Sequence, residues 1–260
     1  MSRISDVFSN GKAFIPFITA GDPSLNVTEE LVCAMAAAGA DLIELGIPFS
    51  DPTAEGAVIQ DADMRALKAG TTTDKIFDSV RRIREKTDVP LAFMTYMNPV
   101  FVYGCDKFLK NAAELGVDAL IVPDVPFEER EELLPFCRKY GVQLISLIAP
   151  TSKERIREIA SGSDGFIYCV SSMGVTGVRS EIRTNIGEMV SLVKEAKDIP
   201  CAIGFGISTP EQAREMSRVS DGVIVGSAIV KIVEKYGEKC VEPVCDYVKE
   251  MKKAAAQQRV

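Results

Sequence analysis

The chain has 260 residues, with 30 Lys and Arg against 37 Asp and Glu and a net charge of −7. An excess of negative charge does not neutralise nucleic-acid phosphates, and no Lys/Arg run offers a dock for anionic lipid. The absence of histidine excludes a Ser-His-Asp triad, a Cys-His dyad and any His-ligated metal, so proton transfer must rest on Asp, Glu, Lys, Tyr or Cys.

The hydrophobic fraction of 47% is that of an ordinary globular chain. No Pro/Gly/Ser-rich linker divides it, so residues 1–260 read as a single domain. The seven cysteines are odd in number and form no C-x-x-C pair, which argues against a disulfide framework or a zinc ribbon. Cys169 and Cys201 sit inside apolar runs and read as small buried hydrophobes. Free thiols, no apolar signal segment in residues 1–12 and no run near the ~20 residues of a membrane helix predict a cytoplasmic protein.

Along the chain, short apolar runs alternate with longer amphipathic ones. The first strand is predicted over 13–19, followed by a helix over 25–38. Strand two, over 42–46, is followed by helices over 61–69 and 73–86. Strand three spans 90–95, with a helix over 105–115. Strand four spans 119–122, with a helix over 127–140. Strand five spans 143–149, with a helix over 153–160. Strand six spans 165–170, with a helix over 186–196. Strand seven spans 201–204, with a helix over 209–219. Strand eight spans 222–225, with helices over 227–235 and 241–256. The strands are continuously apolar rather than alternating, as parallel strands covered on both faces are.

Thr73-Asp74 and Thr209-Pro210-Glu211 read as helix starts. Gly39-Ala40-Asp41 and Gly116-Val117-Asp118 read as helix stops turning into the next strand. Eight strand–helix units in about 250 residues predict an α/β fold, a single-domain (β/α)8 TIM barrel with extra helices. An open doubly wound sheet is the alternative. It calls for G-x-G-x-x-G after the first strand, where Ala20-Gly21-Asp22-Pro23 stands instead.

In a barrel, function gathers where strands end. Glu44 lies in the middle of the second strand, and a buried carboxylate is costly unless it is paired or used. Burial would raise its pKa into the range useful for proton transfer. The alternative is a salt bridge inside the barrel. The loop after it adds Asp51 and Glu55, stiffened by Pro48 and Pro52 and freed at its far end by Gly56. It reads either as a solvated loop or as a lid that brings a second carboxylate toward Glu44.

Glycine-rich turns follow the last three strands: Gly174-Val175-Thr176-Gly177, Gly204-Phe205-Gly206 and Gly226-Ser227-Ala228. Barrel phosphate sites use the loops after strands seven and eight and the N-terminus of a short helix. These residues therefore point to a phosphorylated substrate and carboxylate proton transfer, in a C–C cleavage or an isomerisation. Lys12 and Lys68 fall away from the strand ends, which leaves a Schiff-base mechanism without a lysine.

The strings Phe17-Ile18-Thr19-Ala20-Gly21-Asp22-Pro23 and Glu44-Leu45-Gly46-Ile47-Pro48-Phe49-Ser50-Asp51-Pro52 resemble the tryptophan synthase α-subunit family. Tyr96-Met97-Asn98-Pro99, Pro123-Asp124-Val125-Pro126 and the three glycine turns follow in the family's order. The resemblance implies cleavage of indole-3-glycerol phosphate to indole and glyceraldehyde 3-phosphate. It implies a β-subunit partner in an α2β2 heterotetramer, with pyridoxal phosphate in that subunit only, and no cofactor or metal in this chain.

It also implies that Glu44 shuttles the proton between the glycerol hydroxyl and indole C3. Glu55 stands where the family usually has Asp, one methylene longer, and would accept the indole N–H. Phe17, Tyr96 and Tyr168 match positions that line the indole pocket. Gly177, Gly206, Gly226 and Ser227 match the phosphate cradle, and Thr176 matches a loop residue that closes over the site near Asp51. Ser171-Ser172 stands where Ser-Arg is common, so no Arg contact is implied. A free-standing lyase, and a weakly catalytic partner of a β subunit, are the competing functions.

Overall fold

A computed structural model describes residues 3–170, 179–204 and 206–257, with residues 179–185 as backbone. Strands β1 (Ala13–Thr19), β2 (Ile43–Gly46), β3 (Leu91–Met94), β4 (Ala119–Ile121), β5 (Gln143–Ile148), β6 (Ile167–Val170), β7 (Cys201–Gly204) and β8 (Gly222–Val225) close into one parallel barrel in sequence order. β1 pairs with both β2 and β8. This is the (β/α)8 architecture expected from the alternation of short and long runs.

The helices are α1 (Arg3–Val7), α2 (Leu25–Ala37), α3 (Ala57–Lys68), α4 (Thr73–Arg84), α5 (Met97–Tyr103), α6 (Cys105–Glu114), α7 (Leu134–Tyr140), α8 (Lys153–Gly162), α9 (Arg179–Ala196), α10 (Pro210–Ser217), α11 (Ser227–Tyr236) and α12 (Val241–Ala256). Several differ from the sequence reading. α1 and α5 were not expected, because neither is long enough to show a 3.6-residue period. α3 starts at Ala57, four residues early, since Gly56 caps it. Gly56 has φ −80 and therefore uses no special backbone freedom. α4 is capped by Thr72, not Thr73: the Thr72 hydroxyl accepts from the Lys75 N–H. α9 begins at Arg179, before the expected 186. The helix expected over 127–140 is a 3-10 turn, Phe127–Glu132, and then α7. Pro135 fixes the first turn of α7 and cannot donate to a helix running through it.

The caps read from Thr209 and the glycines hold. Thr209 and Gln212 form a capping box at α10. Gly39 and Gly116 adopt φ +99 and +71 where α2 and α6 end, a conformation that costs glycine little. The Asp of each stop then bonds backward. Asp41 accepts from the Phe14 N–H at 2.7 Å, and Asp118 from the Leu91 N–H at 3.0 Å. Asp221, before β8, accepts from the Cys201 N–H at 2.8 Å.

The pleat sorts the strands into two apolar layers. Phe14, Ile18, Ile43, Leu45, Phe93, Leu120 and Ile203 pack outward against the helices. Ala13, Ile15, Leu42, Ala92, Ala119, Ile121, Tyr168, Ala202 and Ile224 fill the barrel, which α1 plugs from below with Ile4 and Val7. Cys169 and Cys201 are fully buried in the outer layer.

Candidate active site

The two-residue period that buries Ile43 and Leu45 outward turns Glu44 inward. β2 pairs with β1 so that Glu44 stands beside Phe17. Tyr168 faces the same space from β6. At the C-terminal end of the barrel these three line a pocket of ≈ 130 Å³ with Glu55, Ile59, Met94, Gly206, Ile207, Ile224, Gly226 and Ser227. Two larger hollows, ≈ 210 and ≈ 400 Å³, lie around β5 and Arg130 and contain none of the anticipated site residues.

Two glycines make room for the aromatic walls. A Cβ on Gly46 would lie 2.6 Å from Phe17 Cζ, and one on Gly204 would lie 2.5 Å from the Tyr168 hydroxyl. Any larger residue at the end of β2 or β7 must displace a ring.

The carboxylates of the pocket are poorly compensated. Glu44 is fully buried, and neither of its oxygens has a hydrogen-bond partner. Burial pushes its carboxyl up to about 8. The salt bridge considered for it is absent among the described residues. Glu55 buries Oε2 without a partner, and burial with the nearby Asp63 charge pushes it up to about 8 as well. Tyr168 is held well above its ordinary value by burial, with Glu44 and Glu55 adding to the effect, so it stays a neutral hydroxyl.

Tyr96 stands outside the pocket wall. It is buried, its hydroxyl accepts the Ala54 N–H at 3.0 Å, and its ring lies 5.4 Å from Phe49. It braces the loop that carries Glu55. Asp51 is exposed and accepts from the Ser50 hydroxyl at 2.5 Å.

In the same pocket Gly226 caps α11, the helix packed beside α3, and no side chain caps it. The first turn of α11 thus presents unsatisfied N–H groups and a partial positive charge beside Ser227, a setting suited to an anion. Gly206 turns the chain there with φ +72. Thr176 and Gly177, like Ser171 and Ser172, lie outside the described residues. Among the described residues no three of Cys, Asp and Glu are grouped as metal ligands.

One residue of this region escaped the sequence reading. Asp63 on α3 is 4% exposed and is pushed up to about 7, chiefly by burial. Its signal was available: it lies beside Ala62 and Ala66 on the small-residue face that α3 buries.

A sequence profile of the family described as "Tryptophan synthase alpha chain" matches residues 5–256. The tryptophan synthase alpha chain of Lacticaseibacillus casei is 50% identical over 254 residues, 98% of this chain and 96% of that one. That of Caldanaerobacter subterraneus is 51% identical over 239 residues, 92% and 91% of the two chains. The crystal structure of the tryptophan synthase subunit alpha from Legionella pneumophila superposes with a TM-score of 0.89 at 35% identity, covering 98% of each chain. With the barrel, the inward glutamate and near-complete coverage in agreement, this chain belongs to the tryptophan synthase alpha chain family.

Proposed function

We propose that this chain cleaves indole-3-glycerol phosphate to indole and glyceraldehyde 3-phosphate, and that it works in an α2β2 assembly with a β subunit. The observation that carries the reading is the pocket itself. A fully buried carboxyl and a half-buried one, both with raised pKa values, share one pocket with a helix N-terminus.

At neutral pH, Glu44 begins protonated. It delivers that proton to indole C3, and the ring becomes a cation. Its carboxylate then takes the proton of the adjacent glycerol hydroxyl as the C–C bond breaks. The bond electrons return to the ring, the hydroxyl carbon becomes the aldehyde, and Glu44 ends as it began. General acid–base groups of this kind contribute about 10²–10⁴-fold. Glu55, once ionised, accepts the indole N–H and stabilises the ring cation, an interaction that strengthens toward the transition state. Phe17 and Tyr168 flank the ring. Ser227, Gly226 and Gly206 receive the phosphate, and Thr176 and Gly177 are assigned to the same binding role on the resemblance. Tyr96, matched by the resemblance to the indole pocket, acts behind Glu55. No step requires a cofactor in this chain; pyridoxal phosphate belongs to the β subunit.

The partner reading has support from the surface. α5 follows β3, so it stands at the pocket end of the barrel. It exposes Phe101 by 68% and Val102 by 76%. We read these adjacent exposed apolar side chains as part of the surface that meets the β subunit. A solved relative is named as tryptophan synthase from M. tuberculosis, at TM-score 0.88 and 30% identity over 98% of this chain and 99% of that one. The chain is assigned to the cytoplasm; no helix among the described residues is long and apolar enough to cross a membrane.

Indole release from indole-3-glycerol phosphate, measured on the isolated chain and after adding a β subunit, tests the proposal. Indole from the chain alone and tryptophan from the mixture with serine are expected. No indole in either condition overturns the reading. Turnover that a β subunit leaves unchanged, with no complex on a sizing column, makes the chain a free-standing lyase.

A further inference from the structure

Asp63 is a buried carboxylate that the reaction above does not use. It lies two turns into α3, the helix that follows the Glu55 loop. Its Oδ2 accepts the Phe49 N–H and its Oδ1 accepts the Thr19 hydroxyl, each at 3.4 Å. These contacts join α3 to the end of β1 and to the start of the loop that runs from β2 to Glu55. Both are long, so they compensate the charge weakly.

The charges around it do little more. Arg65, two positions along α3, is engaged by Asp22 through two bonds of 2.8 Å and by Glu234 of α11 at 3.3 Å. Asp22, in the loop after β1, acts on Asp63 with the same sign. Asp61 and Lys68 of α3 are exposed, as are Lys231 and Lys235 of α11. Facing Glu55 are Asp63, the two tyrosines Tyr96 and Tyr168, and Glu44 across the pocket. On this side of the barrel the charge of Asp63 therefore acts on Glu55 with the same sign.

We propose that Asp63 is a positioning residue for Glu55: it braces the loop that carries Glu55 and confronts that carboxylate with a second negative charge. The proposal rests on the role given to Glu55 above. While Asp63 is ionised, Glu55 holds its proton to higher pH than burial alone dictates, since like charges at one site do not both ionise readily. The acid limb of kcat then follows the ionisation of Glu55 in the presence of that charge. Removing the Asp63 charge lets Glu55 ionise at lower pH, so the limb moves to lower pH.

The test compares the wild-type chain with Asp63→Asn, both labelled with ¹³C at the glutamate carboxyls. Glu55 is assigned from the Glu55→Gln spectrum, and kcat and KM are measured against pH in the complex with a β subunit. In Asp63→Asn, the Glu55 midpoint and the acid limb of kcat are expected to fall together by about one pH unit, with KM little changed. An unmoved Glu55 midpoint in a variant that melts like the wild type overturns the proposal. A moved midpoint with an unmoved limb upholds the charge contact and overturns the catalytic role of Glu55 instead. Should Asp63→Asn not fold, wild-type protein labelled also at its aspartate carboxyls decides. A Glu55 curve with a second inflection at the Asp63 midpoint supports the pair, and an independent single-step curve refutes it.

Discussion

The two ends of this barrel treat their carboxylates in opposite ways. At the N-terminal end, Asp41, Asp118 and Asp221 each precede a strand and accept an N–H from the strand before it. Each also has a cation: Lys252 at 2.6 Å for Asp41, Arg3 at 2.7 Å for Asp118, and Lys194 at 2.8 Å for Asp221. At the C-terminal end, among the described residues, Glu44 has neither a donor nor a cation, and Glu55 has an oxygen buried without a partner. The first arrangement supplies charge-assisted bonds that fix strand register. The second leaves the desolvation cost standing, which stores that cost as basicity. The same functional group is ion-paired where the chain brings it donors and raised in pKa where the chain withholds them.

Substitutions at the two ends should therefore give opposite phenotypes. The largest effect is expected for Glu44→Gln, with kcat falling about 10²–10⁴-fold in the indole assay. Its stability should change with the reverse sign. The folded-state value of Glu44, about 8, lies above its ordinary value of 4.5. Between these the folded chain binds the extra proton, so stability is full below the lower value and is lost as pH rises toward the upper one. Melting curves across that window should fall less steeply for Glu44→Gln than for wild type. A variant that keeps more than about a tenth of wild-type kcat would remove Glu44 from the chemistry.

Asp118→Ala at the opposite end should cost about 3 kcal/mol. It strips the Leu91 N–H, Arg3 and Arg84 of one shared acceptor. Chemical denaturation measures the loss, and kcat per folded molecule should stay at the wild-type level. A large loss of kcat without a loss of stability would show that the two ends do not divide their tasks this way.

The smallest effect sharpens the anion side of the pocket. Ser227→Asp places a charge at the N-terminus of α11, which is mildly favourable to the helix, by about 0.3–1 kcal/mol. The same charge repels a phosphate. KM should rise roughly tenfold or more, the equivalent of about 1.4 kcal/mol, while the melting temperature holds or rises. An unchanged KM would locate the phosphate elsewhere.

Much of this was legible in the sequence because it depends on local periodicity. The eight apolar runs gave strands whose bounds shift by no more than two residues, since a strand buried on both faces is apolar throughout. Glu44 stood out as the one carboxylate inside such a run. Gly206 and Gly226 of the pocket were legible as glycines where a strand gives way to a helix. Elements without a period were missed: α1 is five residues and α5 is seven. The helix over 127–140 was read as continuous because its composition suits a helix, and Pro135 decided otherwise.

What the sequence by itself determined was the order of the strands and of the longer helices, because hydrophobic pattern and turn residues are properties of neighbours in the chain. What tertiary structure alone decided was the surroundings of each carboxylate. Asp118 and Asp63 are the same residue type. One meets Arg3 across 115 positions and becomes a brace; the other comes to rest beside Glu55 and Asp22 and becomes a weakly compensated charge. Barrel closure sets those encounters, and charge interacts through space rather than along the chain.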